Sequence, residues 1–94
     1  MNNRNYESKV KPMYQLRLRI FRRMKELAGC VDCGYSTHGA ALDWDHRPDV
    51  DKKFAVTSSP TRNFESILEE MEKCDIRCAN CHRIITAKRR TYDA

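Results

Sequence analysis

The sequence has no long apolar run, and the stretch MNNRNYESKV at its start lacks the apolar core of a secretory signal. No segment approaches the roughly 20 apolar residues that a transmembrane helix needs. We therefore expect neither a membrane protein nor an exported one, but a protein of the reducing cytoplasm. Internal repeats and low-complexity segments are also missing. The 94 residues predict a single domain over 11–94, preceded by a flexible tail over 1–10.

Charge and cysteine are what the chain does contain. The net charge is +5, and 33% of the residues are charged, which favours a polyanionic partner such as DNA. A chain of this size buries a limited core, so a metal or disulfide cross-link is expected. Five cysteines in a reducing compartment indicate metal binding rather than a disulfide framework, and their odd number agrees with this interpretation.

A first helix is predicted from Pro12 to Ala28, because apolar residues recur there at steps of three and four, and Gly29 is suited to end it. The predicted buried stripe consists of Met13, Leu16, Ile20, Met24 and Leu27. The other faces carry the basic residues Arg17, Arg19, Arg22, Arg23 and Lys25. These residues form either a solvated surface or a surface that contacts DNA.

The rest of the chain predicts strands and two more helices. ALDWDHRP, residues 41–48, alternates like a half-buried strand that Pro48 ends, and KFAV, residues 53–56, is a possible second strand. A helix follows, with Ser59 as its cap and Pro60 at its first position. Its apolar stripe is Phe64, Ile67, Leu68 and Met71, and its solvated face is Glu65, Glu69, Glu70 and Glu72. A short extended piece, residues 75–77, leads into a last helix that runs to about Arg90.

Four of the cysteines form two C-x-x-C pairs, CVDC and CANC. Such pairs supply the four soft ligands of a closed tetrahedral zinc site, here Cys30, Cys33, Cys78 and Cys81. Zinc bound in this way contributes about 10–16 kcal/mol, against a total stability of about 5–15 kcal/mol for a small domain. The sequence therefore predicts that structural zinc decides whether the chain folds.

The motif CANCH, residues 78–82, also matches the attachment site of a c-type haem. A haem would leave Cys30 and Cys33 without a role, and its attachment requires export. A thioredoxin-like redox pair is disfavoured as well, because no βαβ pattern surrounds either C-x-x-C. We therefore expect zinc and no haem, and we interpret Cys74 as a buried structural thiol.

If the cysteines hold zinc, His82 is available for another function. Asp45 and His82 can offer a carboxylate oxygen and an imidazole nitrogen to a divalent cation, which leaves positions for water and substrate. His46 is suited to act beside them as a general base at neutral pH. Neighbours on a regular strand point to opposite faces, so the strand must twist or end near Pro48 for Asp45 and His46 to serve one site.

The combination of Asp45-His46 with Cys78-x-x-Cys81-His82, after Cys30-x-x-Cys33, resembles the HNH endonuclease family, in the branch whose ββα-metal motif is held by four cysteines. The resemblance covers about residues 30–90. It implies a small zinc-stapled α+β domain, here with an added basic N-terminal helix, that hydrolyses phosphodiesters in DNA. It also implies that His46 is the general base and that Asp45 and His82 hold the catalytic metal. Members of the family are common in phages and mobile elements.

The sequence departs from the family at two positions. Thr86 stands where many members have a second histidine on the final helix, so two protein ligands and waters are expected around the cation, which suits Mg²⁺ or Mn²⁺. The middle asparagine, which orients the base, has no clear counterpart. Asn63 lies in the first turn of the preceding helix, Asn80 is expected to cap the last one, and a backbone carbonyl is the other possible source of this role.

The expected phosphate contacts come from basic residues near these motifs, namely Arg47, Arg83, Lys88, Arg89 and Arg90. His38 is interpreted as a loop residue without a role. Two other classes of function remain open. A zinc-stabilised DNA-binding module without catalysis would explain the basic helices, and a zinc adaptor for another protein would explain the cysteines. Neither needs Asp45, His46 and His82 together.

Overall fold

The computed structural model describes residues 11–58 and 62–90. In these ranges the chain is an α+β fold with three α-helices, as the sequence predicts, and one two-stranded antiparallel sheet. No helix in these two ranges is long and apolar enough to cross a membrane. The elements are α1 (Lys11–Ala28), a 3-10 helix (Gly39–Ala41), β1 (Leu42–His46), α2 (Phe64–Glu72), β2 (Cys74–Cys78) and α3 (Ala79–Arg89).

Helix α1 ends as predicted, but it buries a different face. Gly29 has a φ of 73°, a conformation that glycine adopts without strain, and its N–H donates to the Lys25 carbonyl at 2.8 Å. Phe21 is 1% exposed, and Leu18 and Met24 pack beside it. Most of the predicted stripe is instead exposed, between 40% and 71%, at Met13, Leu16, Ile20 and Leu27. A helix with apolar residues on two faces can bury only the one that meets the core, and here the Phe21 face meets it.

Lys25 was expected on the basic surface of α1, and the structure corrects this. It is 8% exposed, and its Nζ donates to the Leu42 carbonyl at 2.6 Å. Burial lowers the pKa of Lys25, because the charged form loses its water. The contact joins α1 to the first residue of β1.

The two faces of the sheet differ in chemistry. In the ladder, Leu42 pairs with Cys78, Trp44 with Ile76 and His46 with Cys74. Residues at every second position share a face, and this face packs on the two apolar clusters of the core. The other face carries charged side chains, which are Asp43, Asp45, Asp75 and Arg77. Helix α3 covers part of this charged face.

The second strand is not where the pattern suggested. Residues 53–56 are irregular, while the piece predicted only as extended, residues 75–77, is the centre of β2. The N–H of Lys53 donates to the side chain of Glu70 at 2.9 Å rather than to a ladder. Val56 is nevertheless 2% exposed, so the apolar character of this segment serves the core.

Helix α2 begins later than predicted. Its N-cap is Asn63, whose side chain accepts from the Ser66 N–H at 3.2 Å. The proposed cap Ser59 and first residue Pro60 lie outside the described residues. Ile67 and Met71 are buried, which confirms half of the apolar stripe. The other half is partly exposed, Phe64 by 38% and Leu68 by 37%.

Candidate functional site

Four cysteine side chains meet at one end of the sheet. Cys30 and Cys33 follow α1, Cys78 ends β2, and Cys81 lies in the first turn of α3. All four Sγ atoms lie within 4.8 Å of one another, and the cysteines are free thiols. A tetrahedral zinc site with Zn–S bonds of about 2.3 Å requires S···S separations of about 3.8 Å. The Cys33 and Cys78 Sγ atoms are 3.7 Å apart, so the cluster fits a metal such as zinc.

Local backbone structure holds these thiols in place. Gly34, with a φ of 81°, turns the chain so that its N–H donates to the Cys30 carbonyl at 2.8 Å. Cys78 is also the N-cap of α3, where its Sγ accepts from the Cys81 N–H at 3.4 Å. The first pair therefore lies in a tight turn, and the second pair opens a helix.

The protonation of the cluster also favours a cation. Burial alone would raise the pKa of Cys30, but the backbone N–H groups of Cys78, Cys33 and Asp32 outweigh it and lower the pKa to about 6. The pKa of Cys81 is raised to about 12, chiefly by its hydrogen bond to Cys78. Four thiolates this close repel one another, so all of them ionise together only around a positive ion. Among the described residues, this is the one group of three or more His, Cys, Asp or Glu side chains with donors so close.

Asp45 and His82 meet on the charged face of the sheet. Asp45 is 5% exposed, and its Oδ1 lies 3.4 Å from His82 Nε2. Two guanidinium groups also bond the carboxylate: Arg77 Nη1 to Oδ2 at 2.7 Å and Arg89 Nη1 to Oδ1 at 3.0 Å. Burial would raise the pKa of Asp45, but these two arginines lower it, so the group is held as a carboxylate.

Asp43 holds the other side of the His82 ring. Its Oδ2 lies 3.0 Å from His82 Nδ1. A carboxylate only accepts hydrogen bonds, so Nδ1 is the donor, and a neutral ring then has its lone pair on Nε2, the atom that faces Asp45. A carboxylate on the far nitrogen is typical of metal-binding histidines. Asp43 had no assigned role in the sequence, although its spacing of two residues from Asp45 places both on one face of the strand.

His46 contacts a buried acid on α2. Its Nε2 lies 2.8 Å from Glu70 Oε2, and the two side chains are 9% and 1% exposed. Glu70 Oε2 also accepts from the Lys53 N–H at 2.9 Å, and Oε1 accepts from Lys73 Nζ at 3.1 Å. Burial would raise the pKa of Glu70, but the Lys53 N–H, Lys73 and His46 together lower it to about 2.

The assignment of Glu70 to a solvated face is therefore wrong. The sequence does contain the signal, because Glu70 lies three residues after Ile67 and so shares the buried face of α2. A carboxylate at such a position requires partners, and it finds them in His46, Lys53 and Lys73.

The structure brings two of the three predicted site residues together. Asp45 and His82 are adjacent, whereas His46 lies on the opposite face of β1, because the ladder stays regular up to its pairing with Cys74. Within residues 11–58 and 62–90, no side-chain hydrogen bond or ion pair joins His46 to Asp45 or to His82. The twist that a shared site requires is not present in this arrangement.

The basic residues near the site lie in different environments. Arg83 and Arg90 line a cavity of about 510 Å³ together with Asp43, His82 and Thr86. Arg89 bonds Asp45, as described above. Arg47 already has a hydrogen-bond partner within the protein, since its Nη2 donates to the Glu72 carbonyl at 2.8 Å. Lys88 lines a separate cavity beside Asp32 and Cys81.

The two asparagines considered as orienting residues have other positions. Asn63 caps α2, and Asn80 lies inside the first turn of α3, whose cap is Cys78 rather than Asn80. Neither asparagine hydrogen-bonds His46, whose partner in the described part of the chain is Glu70. His38 is exposed in the loop before the 3-10 helix.

Comparisons with protein families, with curated proteins and with solved structures found no match to this chain, so its function is argued from the site itself.

Proposed function

We propose that the protein is a metal-dependent DNA endonuclease of the HNH type, with structural zinc on the four cysteines. The observation that carries this proposal is the Asp45–His82 pair. Asp45 Oδ1 and His82 Nε2 lie 3.4 Å apart, and Asp43 holds the ring from its other side. A buried carboxylate and an oriented imidazole are the ligand types that a catalytic divalent cation uses. Both belong to the β1-β2-α3 unit, where the resemblance to the family lies.

Two protein ligands would leave most of the coordination positions to water and substrate. This suits Mg²⁺ or Mn²⁺, hard ions that keep several waters. Such a cation would supply positive charge to a phosphodiester as negative charge develops on its oxygens. Thr86 lines the cavity beside His82, so the helix position at which many family members have a second histidine faces the same space.

His46 is the proposed general base. Hydrolysis forms a phosphorus–oxygen bond from water and breaks the bond to the departing sugar oxygen. His46 would accept the proton of the attacking water, and the sugar oxygen would take a proton from solvent. His46 is the last residue of β1, and the turn at Pro48 follows after Arg47.

The surroundings of the pair suit a nucleic-acid backbone. The cavity of about 510 Å³ beside His82 is open along α3 and is lined by Arg83 and Arg90. Phosphates of DNA would bring their negative charge to these guanidinium groups. DNA affinity is therefore expected to fall steeply with salt and to vary little with sequence. A salt-insensitive affinity would instead favour the adaptor function.

One observation favours the alternative of a DNA-binding module without catalysis. Both oxygens of Asp45 are bonded by arginines, Oδ2 by Arg77 and Oδ1 by Arg89, so the carboxylate is satisfied without a cation. In addition, His46 faces Glu70 on the other side of β1. In a binding module, these contacts of Asp45 and His46 would stay the same when DNA binds. In a nuclease, they would rearrange when cation and DNA bind.

Plasmid cleavage as a function of Mn²⁺ concentration distinguishes the two functions. We expect His46→Ala to bind cation and DNA but to lose about 10²–10⁴-fold in rate, the usual contribution of a general base. His82→Ala should weaken cation affinity, so that higher Mn²⁺ recovers part of its rate. His38→Ala is the matched control, since His38 is an exposed loop histidine. Wild-type protein that cleaves no DNA form with Mg²⁺ or Mn²⁺ would establish the binding module instead.

A further inference from the structure

Glu70 is a buried acid that the proposed reaction does not yet use. It is 1% exposed and lies on α2, outside the β1-β2-α3 unit. Burying a carboxylate is costly unless hydrogen bonds compensate it. Glu70 has three such bonds, and two of them converge on the same oxygen, Oε2, from Lys53 N–H and from His46 Nε2.

These contacts determine which nitrogen of His46 carries the proton. The low pKa of Glu70 keeps it ionised at neutral pH, and an ionised carboxylate only accepts hydrogen bonds. His46 Nε2 must therefore be the donor. A neutral His46 ring then has its lone pair on Nδ1, for which no hydrogen bond is found within residues 11–58 and 62–90.

We infer that Glu70 is the positioning residue of His46: it holds the ring by Nε2–H and so presents Nδ1 as the atom that accepts the proton from water. This inference rests on the proposed function for its catalytic part only. It assigns to a helix carboxylate the role for which neither Asn63 nor Asn80 is placed. Lys73 and the Lys53 N–H in turn fix Glu70, since they bond its two oxygens at 3.1 and 2.9 Å.

Nitrogen-15 NMR of the zinc-loaded protein tests this directly. The chain has three histidines, so the spectrum of His46→Gln identifies the signals of His46 by their loss. In mildly alkaline buffer, where an ordinary imidazole is neutral, wild type should show a proton on Nε2 that exchanges slowly with water. Glu70→Leu should lose the slow exchange, whereas Glu70→Gln keeps an acceptor oxygen and should retain it. Glu69→Leu is the matched control, because Glu69 is the exposed neighbour on the same helix.

Cleavage kinetics give the second measurement. Loss of a side chain that orients a metal ligand typically costs about 10–100-fold. We expect a loss of this order in the rate of Glu70→Leu per folded molecule, with substrate affinity unchanged, because Glu70 orients His46 in the same way. A purely structural Glu70 would lower the unfolding midpoint but leave the rate per folded molecule as it was, which overturns the inference. So does a wild-type ring that carries its proton on Nδ1, a result that does not depend on any variant folding. If the NMR result holds and wild type cleaves no DNA, the proposed function fails while the hold of Glu70 on the ring stands.

Discussion

Glu70 links the stability of the protein to acid pH. Its folded pKa of about 2 lies below the ordinary value of 4.5, so the carboxylate stabilises the fold above pH 4.5. That contribution decreases as the pH falls from 4.5 and is lost as it passes through about 2. The free energy of unfolding of wild type should therefore decrease more steeply over this range than that of Glu70→Gln. Urea unfolding at a series of pH values measures the difference between the two proteins. Release of metal in acid affects both proteins alike, so it cancels in this difference. If the unfolding free energies of the two proteins depend equally on pH, the contacts of Glu70 do not lower its pKa in the folded state.

Gly39 brings the 3-10 helix into close contact with α1. A Cβ at this position would lie 2.7 Å from the Arg22 carbonyl oxygen, which is too short for a contact. The approach lets the Gly39 N–H donate to Glu26 Oε2 at 2.8 Å. We expect Gly39→Ala to lower the free energy of unfolding by about 1–3 kcal/mol, as overpacked substitutions do. Ala40→Ser, at the exposed neighbour, is the control and should change little.

Unfolding of these variants can be followed by the fluorescence of Trp44, the single tryptophan, which packs against the core. An unchanged midpoint for Gly39→Ala would mean that α1 and the 3-10 helix move apart at no cost.

At the scale of elements, α3 brings both a proposed cation ligand and a positive charge to the Asp45 carboxylate. His82 Nε2 and Arg89 Nη1 both approach Asp45 Oδ1, at 3.4 and 3.0 Å. A cation between Asp45 and His82 would be repelled by the nearby guanidinium. We expect Arg89→Ala to bind Mn²⁺ roughly thirtyfold more tightly, since a unit charge about 4 Å from a divalent ion contributes about 2 kcal/mol even in water. Titration of Mn²⁺ by electron paramagnetic resonance measures this.

The control for that titration is Lys88→Ala, which removes the same charge from a different cavity, beside Asp32 and Cys81. Its Mn²⁺ affinity should match wild type. If both variants tighten Mn²⁺ binding equally, the effect comes from net charge alone, and Arg89 has no particular relation to the Asp45–His82 pair.

The elements were predictable from sequence to different degrees, for physical reasons. The extent of α1 followed from its periodicity and from Gly29, but its buried face did not. Phe21 and Lys25 form a second stripe that becomes the inner one only through contacts with residues far along the chain. The strand β2 has two cysteines, two charged residues and Ile76, and its apolar signal is weak until it pairs with β1.

The site shows the same division. The four cysteines were found by their spacing, because metal-ligand spacing is a local property, and their convergence is confirmed. Asp45 and His82 were expected to hold one cation, which stays a prediction; their side chains lie 3.4 Å apart. The contacts of Asp43 and Glu70 depend on what the faces of β1 and α2 meet in the fold. The strand and helical repeats show which residues share a face, but they do not show which partners that face contacts.

At the scale of the whole molecule, the metal cluster should decide whether the chain folds. Purified protein is expected to contain about one zinc per chain, and Cys81→Ser should lose both zinc and fold. Cys74→Ser is the matched control. Burial and the neighbouring Glu70 raise the pKa of Cys74 to about 11, and its thiol donates to the Glu70 carbonyl at 3.4 Å, a bond that serine can also form.

Elemental analysis and the fluorescence of Trp44 measure zinc content and fold on the same samples. A folded Cys81→Ser variant, or one that keeps zinc with wild-type affinity, would contradict the closed four-cysteine site. Loss of zinc from Cys74→Ser would place this fifth thiol in the metal centre, against the geometry described here.

The pairing of Leu42 with Cys78 also bears on how fast the protein folds. The sheet joins strands separated by residues 47–73, so the chain must close a long loop before any ladder bond forms. The metal cluster closes nearly the same loop, since Cys78 is both a thiol of the cluster and the last residue of β2. A chain that binds zinc at its two C-x-x-C pairs while still unfolded would have met most of this entropy cost already. The refolding rate should therefore increase with the concentration of free zinc, whereas a rate that does not depend on zinc would mean that the strands pair before the metal binds.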